Sequence, residues 1–395
     1  RNELETVNPL TIHGSKYDSS KYDLFITNNT NFPIILKCIT NKYIMCPENK
    51  EYFLKPNMGA LQNITFYPQG KNKKNNEISK DKYFLNYQLP GLDKVSIYEF
   101  LISKNDDQYT GLNFFKLKNI IEMPLDYISI NKDEKLVRFL NPSTIIYYPI
   151  LIPSEYTLLV DNKTPEIIFD KNSFLVIEGS IKVLGTKSNP ILFKAKESSS
   201  GSIFINQSKE PSEFNYVKFS KLSTPKNQLF KGIKGAITVY ESKISINNSE
   251  FTQNQYGDDY LNAVRSNITM ENNFFEDIYA DAIDFDFCKG LIKNIEFKNI
   301  KNDALDLSGS EVNIENFVAN QVGDKGISVG EKSNVKLYNA KINQASMGIA
   351  SKDSSIININ KIEVTNNDHD FAAYNKKEEF EGGKIIINNV FYKKF

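Results

Sequence analysis

Tryptophan is absent from the 395 residues, and histidine and cysteine are nearly so, at two and three. His13 and His369, with no paired-cysteine motif, supply too little for a tetrahedral zinc site, and none is expected. The formal net charge is zero, 48 basic residues against 48 acidic. Such a chain has no excess of positive charge for phosphates or anionic lipids, so no nucleic-acid partner is expected. No stretch approaches the roughly 18 apolar residues of a membrane span, so the chain is not expected to span a membrane. Three cysteines do not make a disulfide framework. Cys38 and Cys46 are close enough in sequence to bridge across a hairpin, and Cys288 is left over. The chain starts at Arg1 with no visible leader, and a removed leader or a trimmed start is expected.

What the sequence has instead is a ladder. Ala282-Ile283-Asp284-Phe285, Ala304-Leu305-Asp306-Leu307, Gly326-Ile327-Ser328-Val329 and Gly348-Ile349-Ala350-Ser351 recur at intervals of 22 residues. Between them runs a second phrase, Val312/Ile314/Phe317/Ala319, Val335/Leu337/Ala340/Ile342 and Ile357/Ile359/Ile362/Val364. Short alternating apolar runs at this period define a parallel β-solenoid, one coil per repeat. Each coil holds about three strands, since strands average about five to six residues. Alternate residues point inward, and equivalent positions in successive coils stack at about 4.8 Å. Ala263-Val264-Arg265 reads as the preceding coil, with a loop bulging around Gln255–Asp259. Asn at the turns (Asn247, Asn248, Asn272, Asn273, Asn388, Asn389) suits left-handed backbone and stacked amide ladders. The solenoid is assigned to 141–395.

Residues 1–140 lack the repeat. Runs at Leu24–Ile26, Ile34–Leu36, Ile64–Phe66, Phe84–Tyr87 and Val95–Tyr98, separated by turn residues, predict an antiparallel β-sandwich-like domain. The basic run 70–76 reads as a solvated hairpin tip.

The sharpest cluster of chemistry is acidic: Asp281, Asp284, Asp286, Asp303 and Asp306. With Ile283 and Phe285 inward, Asp284 and Asp306 point out on adjacent coils. The expected outward column is Arg265, Asp284, Asp306, Ser328. Two stacked carboxylates share a proton, bind a cation such as Ca²⁺ or pair with Arg265; otherwise they are ordinary solvated solenoid surface. Glycosidases need two carboxyls about 5–5.5 Å apart for retention and about 6.5–9.5 Å for inversion, and stacked or diagonal positions offer either. Asp368-His369-Asp370 with Tyr374 and Lys376 is the second cluster, either a His between two acids or a polar turn at the end of the rod. Tyr240, Tyr256, Tyr260, Tyr279 and Tyr374 near loops either pack or stack on sugar rings.

The phrases Asp281-Ala282-Ile283-Asp284, Asn302-Asp303-Ala304-Leu305-Asp306 and Gly323-Asp324-Lys325-Gly326-Ile327-Ser328-Val329-Gly330 resemble, in that order, three phrases of the polygalacturonase family. Those enzymes hydrolyse acidic polysaccharides with Asp residues on a right-handed β-helix. Lys325 stands where that family has His, and no Arg-Ile-Lys phrase follows. Over 150–395 the chain more closely resembles right-handed β-helix domains of bacterial surface proteins, some linked to spore-coat-kinase-like (CotH-type) domains or surface-polysaccharide loci. The phrases at 323–331, 348–353 and 372–377 carry that likeness. It implies an all-β, right-handed parallel β-helix in an exported protein of the cell surface or periplasm, with a polysaccharide or another envelope component as partner. The expected role is glycan binding or structural assembly without catalysis. The alternative is a hydrolase, lyase or epimerase acting on an acidic glycan. The residues singled out for catalysis are Asp284, Asp306, Arg265 and His369, and those for binding are Asp281, Asp303, Asp324, Lys325 and Tyr374. No metal ligand set is assigned, Ca²⁺ being the one ion considered. Solenoid ends also stack or trimerise unless capped, so a homo-oligomer is a further expectation.

Overall fold

The computed structural model describes residues 10–18, 21–28, 30, 33–40, 51–55, 61–66, 82–89, 92, 94–101, 118–121, 125–170, 173–196, 201–225 and 233–392. Two compact units emerge: Arg1–Lys116 with Asn227–Ile233, and Leu117–Lys226 with Lys234–Phe395. Among the described residues there is no helix, and hence none long and apolar enough to cross a membrane.

The first unit holds two antiparallel sheets. One runs Leu10–Asp18, Lys21–Asn28, Leu61–Phe66; the other runs Tyr52–Leu54, Ile34–Thr40, Lys82–Gln88, Val95–Leu101. Both feed one apolar core, with Leu24, Ile26, Phe66, Leu36, Leu54 and Leu85 buried together. All five strands predicted there are present, and Leu10–Asp18 and Tyr52–Leu54 are additional. Cys38 is buried and disulfide-bonded; Cys46 and the run 70–76 lie outside the described residues.

The second unit is a parallel β-helix. It begins earlier than residue 141. Lys118–Asn119 pairs in parallel with Ile150–Ile152, and Ile120, Ile128, Val137 and Phe139 join the solenoid core. In the regular region each coil is three short β segments separated by sharp corners. At each corner one residue takes left-handed backbone geometry: Arg265, Asn272 and Asp277 in one coil, Phe287, Asn294 and Asn299 in the next, then Gly309, Asn316 and Gln321. Stacking of these corners keeps the coil at 22 residues, because a turn that must repeat above itself tolerates no slip.

Three internal columns hold the coils together. Phe219, Phe251, Phe275 and Phe297 stack ring on ring, Phe251 and Phe275 with centroids 4.2 Å apart and planes 1° from parallel. Asn248, Asn272, Asn294, Asn316 and Asn339 form an amide ladder on the outside, each side chain donating to the one before at 2.7–3.1 Å. The expected Asn ladder is therefore present through Asn248 and Asn272. The third column is one the sequence reading did not single out. After the first corner of each coil, Ser242, Ser266, Cys288, Ser310, Ser333 and Ser355 turn inward. Each backbone N–H donates to the hydroxyl or thiol of the next coil, as in Cys288 N to Ser310 Oγ at 2.9 Å. This satisfies backbone donors that a tight buried turn would leave orphaned.

Gly309 is the one glycine among the stacked corners Arg265, Phe287, Gly309, Glu331 and Asp353. Its φ is +61°, and a Cβ there would meet the Phe287 ring at 2.5 Å. Gly309→Ala is expected to lower stability by about 1–2 kcal/mol, read as a shift of the urea midpoint. An unchanged midpoint would show that the Phe287 ring moves aside freely.

Candidate acidic face

The strands Gly235–Tyr240, Asp259–Val264, Asp281–Asp286 and Leu305–Ser308, continued by the C-terminal ends of Glu311–Gly330 and Ala340–Lys352 and then by His369–Tyr374, form one parallel sheet. Three outward rows run across it. The middle row is Thr238, Asn262, Asp284, Asp306, Ser328, Ala350 and Ala372. The row before it carries Asp259, Asp281, Asp303, Lys325, Met347 and His369, and the row after it Tyr240, Val264, Asp286, Ser308, Gly330, Lys352 and Tyr374.

Arg265 is not in the column. Its place is taken by Asn262, which lies 22 residues before Asp284, so the strict period continues one coil further upstream than the phrase Ala263-Val264-Arg265 suggested. Arg265 is a corner residue with φ +49°. Its guanidinium lies 6.0 Å from the Phe287 ring centroid, 3.9 Å from Glu241 and 3.4 Å from the Tyr240 hydroxyl. The bulge expected at 255–259 is also misplaced: Thr238 to Asn262 is a step of 24 residues, whereas Phe204 to Thr238 is a step of 34. The long excursion is therefore at 221–234, whose residues 226–232 lie outside the described set.

The pair Asp284 and Asp306 stands on adjacent strands as expected. Asp284 Oδ2 accepts from Asn262 Nδ2 at 3.2 Å. Asp306 Oδ1 accepts from the Leu307 N–H at 3.0 Å and lies 3.7 Å from Lys352 Nζ. Asp281 Oδ1 accepts from Asn302 Nδ2 at 2.6 Å and from the Asp303 N–H at 2.8 Å. Asp303 Oδ1 in turn accepts from the Lys325 N–H at 2.9 Å. Lys325 Nζ is shared between Asp303, at 3.4 Å, and Asp324. The face thus brings together Asp281, Asp284, Asp303, Asp306, Asp324 and Lys325.

It does not bring in His369. That residue is exposed and three coils beyond Asp306, about 14 Å along the rod at the usual strand spacing. Tyr374 lies on the third row, one coil past Lys352. Tyr240 and Tyr260 are buried packing residues; Tyr279 is exposed.

Burial gives the cluster its electrostatics. Asp259 is 2% exposed, and burial, reinforced by Asp284, Asp258 and Asp281, pushes its carboxyl well above the usual range. Burial likewise raises Asp284, with Asp286, Asp306 and Asp281 adding to it and Lys234 opposing. Asp303 is pushed up to about 7, burial outweighing Lys325, and Asp281 to about 6. Protons therefore stay on this face at neutral pH. Three buried polar atoms here have no hydrogen-bond partner: Asp259 Oδ2, Asn262 Oδ1 and Ser328 Oγ. Among the described residues no three His, Cys, Asp or Glu are gathered as a metal-ion site. A groove of about 450 Å³ elsewhere on the solenoid, over Gly290 between Asn267 and Lys336, includes none of these carboxylates.

Sequence reasoning missed Asp259, Asn262 and Lys352. Asn262 was open to discovery by counting back 22 residues from Asp284. Lys352 was not, because it reaches its partner diagonally across two coils.

The profile of the family described as "Right handed beta helix region" matches residues 201–368. The second unit is a right-handed parallel β-helix. A loose likeness links the chain to the catalytic unit of a thermostable GH87 alpha-1,3-glucanase from Streptomyces thermodiastaticus, at 8% identity and a TM-score of 0.28, covering 95% of this chain and 89% of that one. No curated protein matches the sequence.

Proposed function

We propose that the acidic face is a binding site for a hydroxyl-rich glycan, in an exported protein of the cell surface or periplasm. The observation that carries this reading is the set of orphaned buried atoms on an outward row. Asp259 Oδ2 and Asn262 Oδ1, beside the Asp284 carboxyl, offer oxygens in need of donors. A buried polar atom without a partner costs about 1–3 kcal/mol. A ligand presenting several O–H groups relieves that cost, and a sugar is such a ligand. The sheet is flat and repeats at one coil spacing, which suits an extended polymer. The likeness to surface-protein β-helix domains, including the CotH-linked kind, and the disulfide at Cys38 fit an oxidising, exported setting.

A second reading is favoured by one specific feature. Asp284 is the carboxyl held up by burial, while the adjacent Asp306 sits beside the Lys352 ammonium. A protonated acid next to a carboxylate is the pairing that glycoside hydrolysis uses, and strands about 4.8 Å apart suit the retaining separation of about 5–5.5 Å.

A panel of neutral and uronic-acid oligosaccharides, titrated by calorimetry, tests both. Asn262→Ala and Asp284→Asn should each weaken binding about 10-fold, the worth of one good hydrogen bond. Equal affinity for wild type and both variants would sink the site. Oligosaccharides recovered intact support a binding protein. Shortened products, lost in Asp284→Asn, support the enzyme.

A further inference from the structure

We propose that Lys352 is the positioning residue of the carboxylate pair: seated over Gly330, its ammonium fixes Asp306 as the anionic member and leaves Asp284 as the member that holds the proton. The proposal rests on the acidic face being the working site, and it adds a residue and a device to it.

Lysine is rarely buried without a partner. The Lys352 side chain is only 9% exposed, and its ionic partner among the described residues is Asp306, at 3.7 Å. The two are not neighbours in the sheet. Lys352 stands on the third row, one strand past Gly330 and two past Ser308. To reach Asp306 it must run back along the rod, over the strand that bears Ser328 and Gly330. The space for this comes from the missing side chain of Gly330. A Cβ there would sit 2.8 Å from Lys352 Cε and 3.3 Å from its Cγ. Ser308 and Gly330 thus give the third row a small-residue channel in which the lysine stem lies, with the ammonium delivered to the middle row. The orphaned Ser328 Oγ stands on the strand the stem crosses, in the row of Asp306.

The groups facing the pair are Asp281, Asp286 and Asp303, with Lys234 acting on Asp284. All but Lys234 and Lys352 are acidic. Two adjacent carboxyls among so many acids would share protons without preference unless one were singled out. A cation placed on Asp306 and not on Asp284 breaks that symmetry. The role is electrostatic and positional; Lys352 need not touch the ligand.

The test follows the Asp306 and Asp284 side-chain carboxyls by carbon NMR in the full chain labelled at aspartate, over pH 4–9, assigned with the Asp→Asn variants. Lys352→Met should move the Asp306 midpoint upward by about one unit or more, the usual effect of losing an adjacent opposite charge. Lys352→Arg should leave it near the wild-type position. Gly330→Ala keeps the lysine but displaces a flexible stem, so it is expected to fold and to move the midpoint in the direction of Lys352→Met. An Asp306 midpoint that stays in place in both Lys352→Met and Gly330→Ala overturns the proposal. So does a midpoint that moves as far in Lys352→Arg as in Lys352→Met. The same samples are titrated with the oligosaccharide panel. If wild type binds none of it while the midpoints move as expected, the glycan reading falls and the positioning role stands.

Discussion

The β-helix should lose stability as pH rises from about 5 to 8. Asp303 is 3% exposed and its carboxyl is raised to about 7; Asp281 is raised to about 6. An acid whose folded pKa lies above its unfolded value binds more protons in the folded state. Its contribution is intact below the unfolded pKa near 4 and is lost as pH climbs through the folded pKa. For Asp303 a rise of about three units corresponds to at most about 4 kcal/mol. Glu166, held below its usual range by Lys194 and Ser143, acts in the opposite sense, but its stability is already gained by about pH 5. The melting temperature of the solenoid, followed by circular dichroism, should therefore fall across this window and flatten above it. Asp303→Asn should flatten the fall and melt higher than wild type at pH 8. A melting temperature that rises from pH 5 to 8 would refute the picture of a face holding protons.

Replacing Phe275 by alanine should be the most damaging single substitution in the rod. Its ring is fully buried, stacked on Phe251 at 4.2 Å and on Phe297 at 5.2 Å, with Tyr260 edge-on at 6.5 Å. Truncating such a side chain costs about 3–5 kcal/mol, a large share of the 5–15 kcal/mol that typically holds a domain. Because solenoid coils touch only their neighbours, the damage should be local first. Amide exchange should accelerate in 245–300 before it does near 340–365. A loss below about 1 kcal/mol, or uniform acceleration along the rod, would count against the stack as the spine of the fold.

Much of this was legible in the residues, for a physical reason. A parallel solenoid copies each position directly above itself, so a packing rule appears in the sequence as a period, and Asp284, Asp306 and Ser328 were aligned by counting. Where counting gave way to resemblance of phrases, the alignment slipped. Ala263-Val264-Arg265 looks like Ala282-Ile283-Asp284, yet it is offset by three residues, and the slip put a corner arginine in the column and left out Asn262. Burial was not legible at all. Nothing local distinguishes Asp259, which is almost wholly buried, from Asp277 at a corner. Leu10–Asp18 was passed over because its Gly, Ser and Lys break the alternation, while pairing with Lys21–Asn28 across a register shift makes it a strand.

The diagonal reach of Lys352 has a consequence for how such a rod can change its length. Where contacts run only from one coil to the next, a whole coil can be duplicated or lost and the seam closes on itself. Between Asp306 and Lys352 that freedom ends, since one more coil would carry the ammonium beyond its partner. Growth and shrinkage of the rod are thereby confined to the stretches outside this span, and the stretch that keeps its coil count is the one that bears the site.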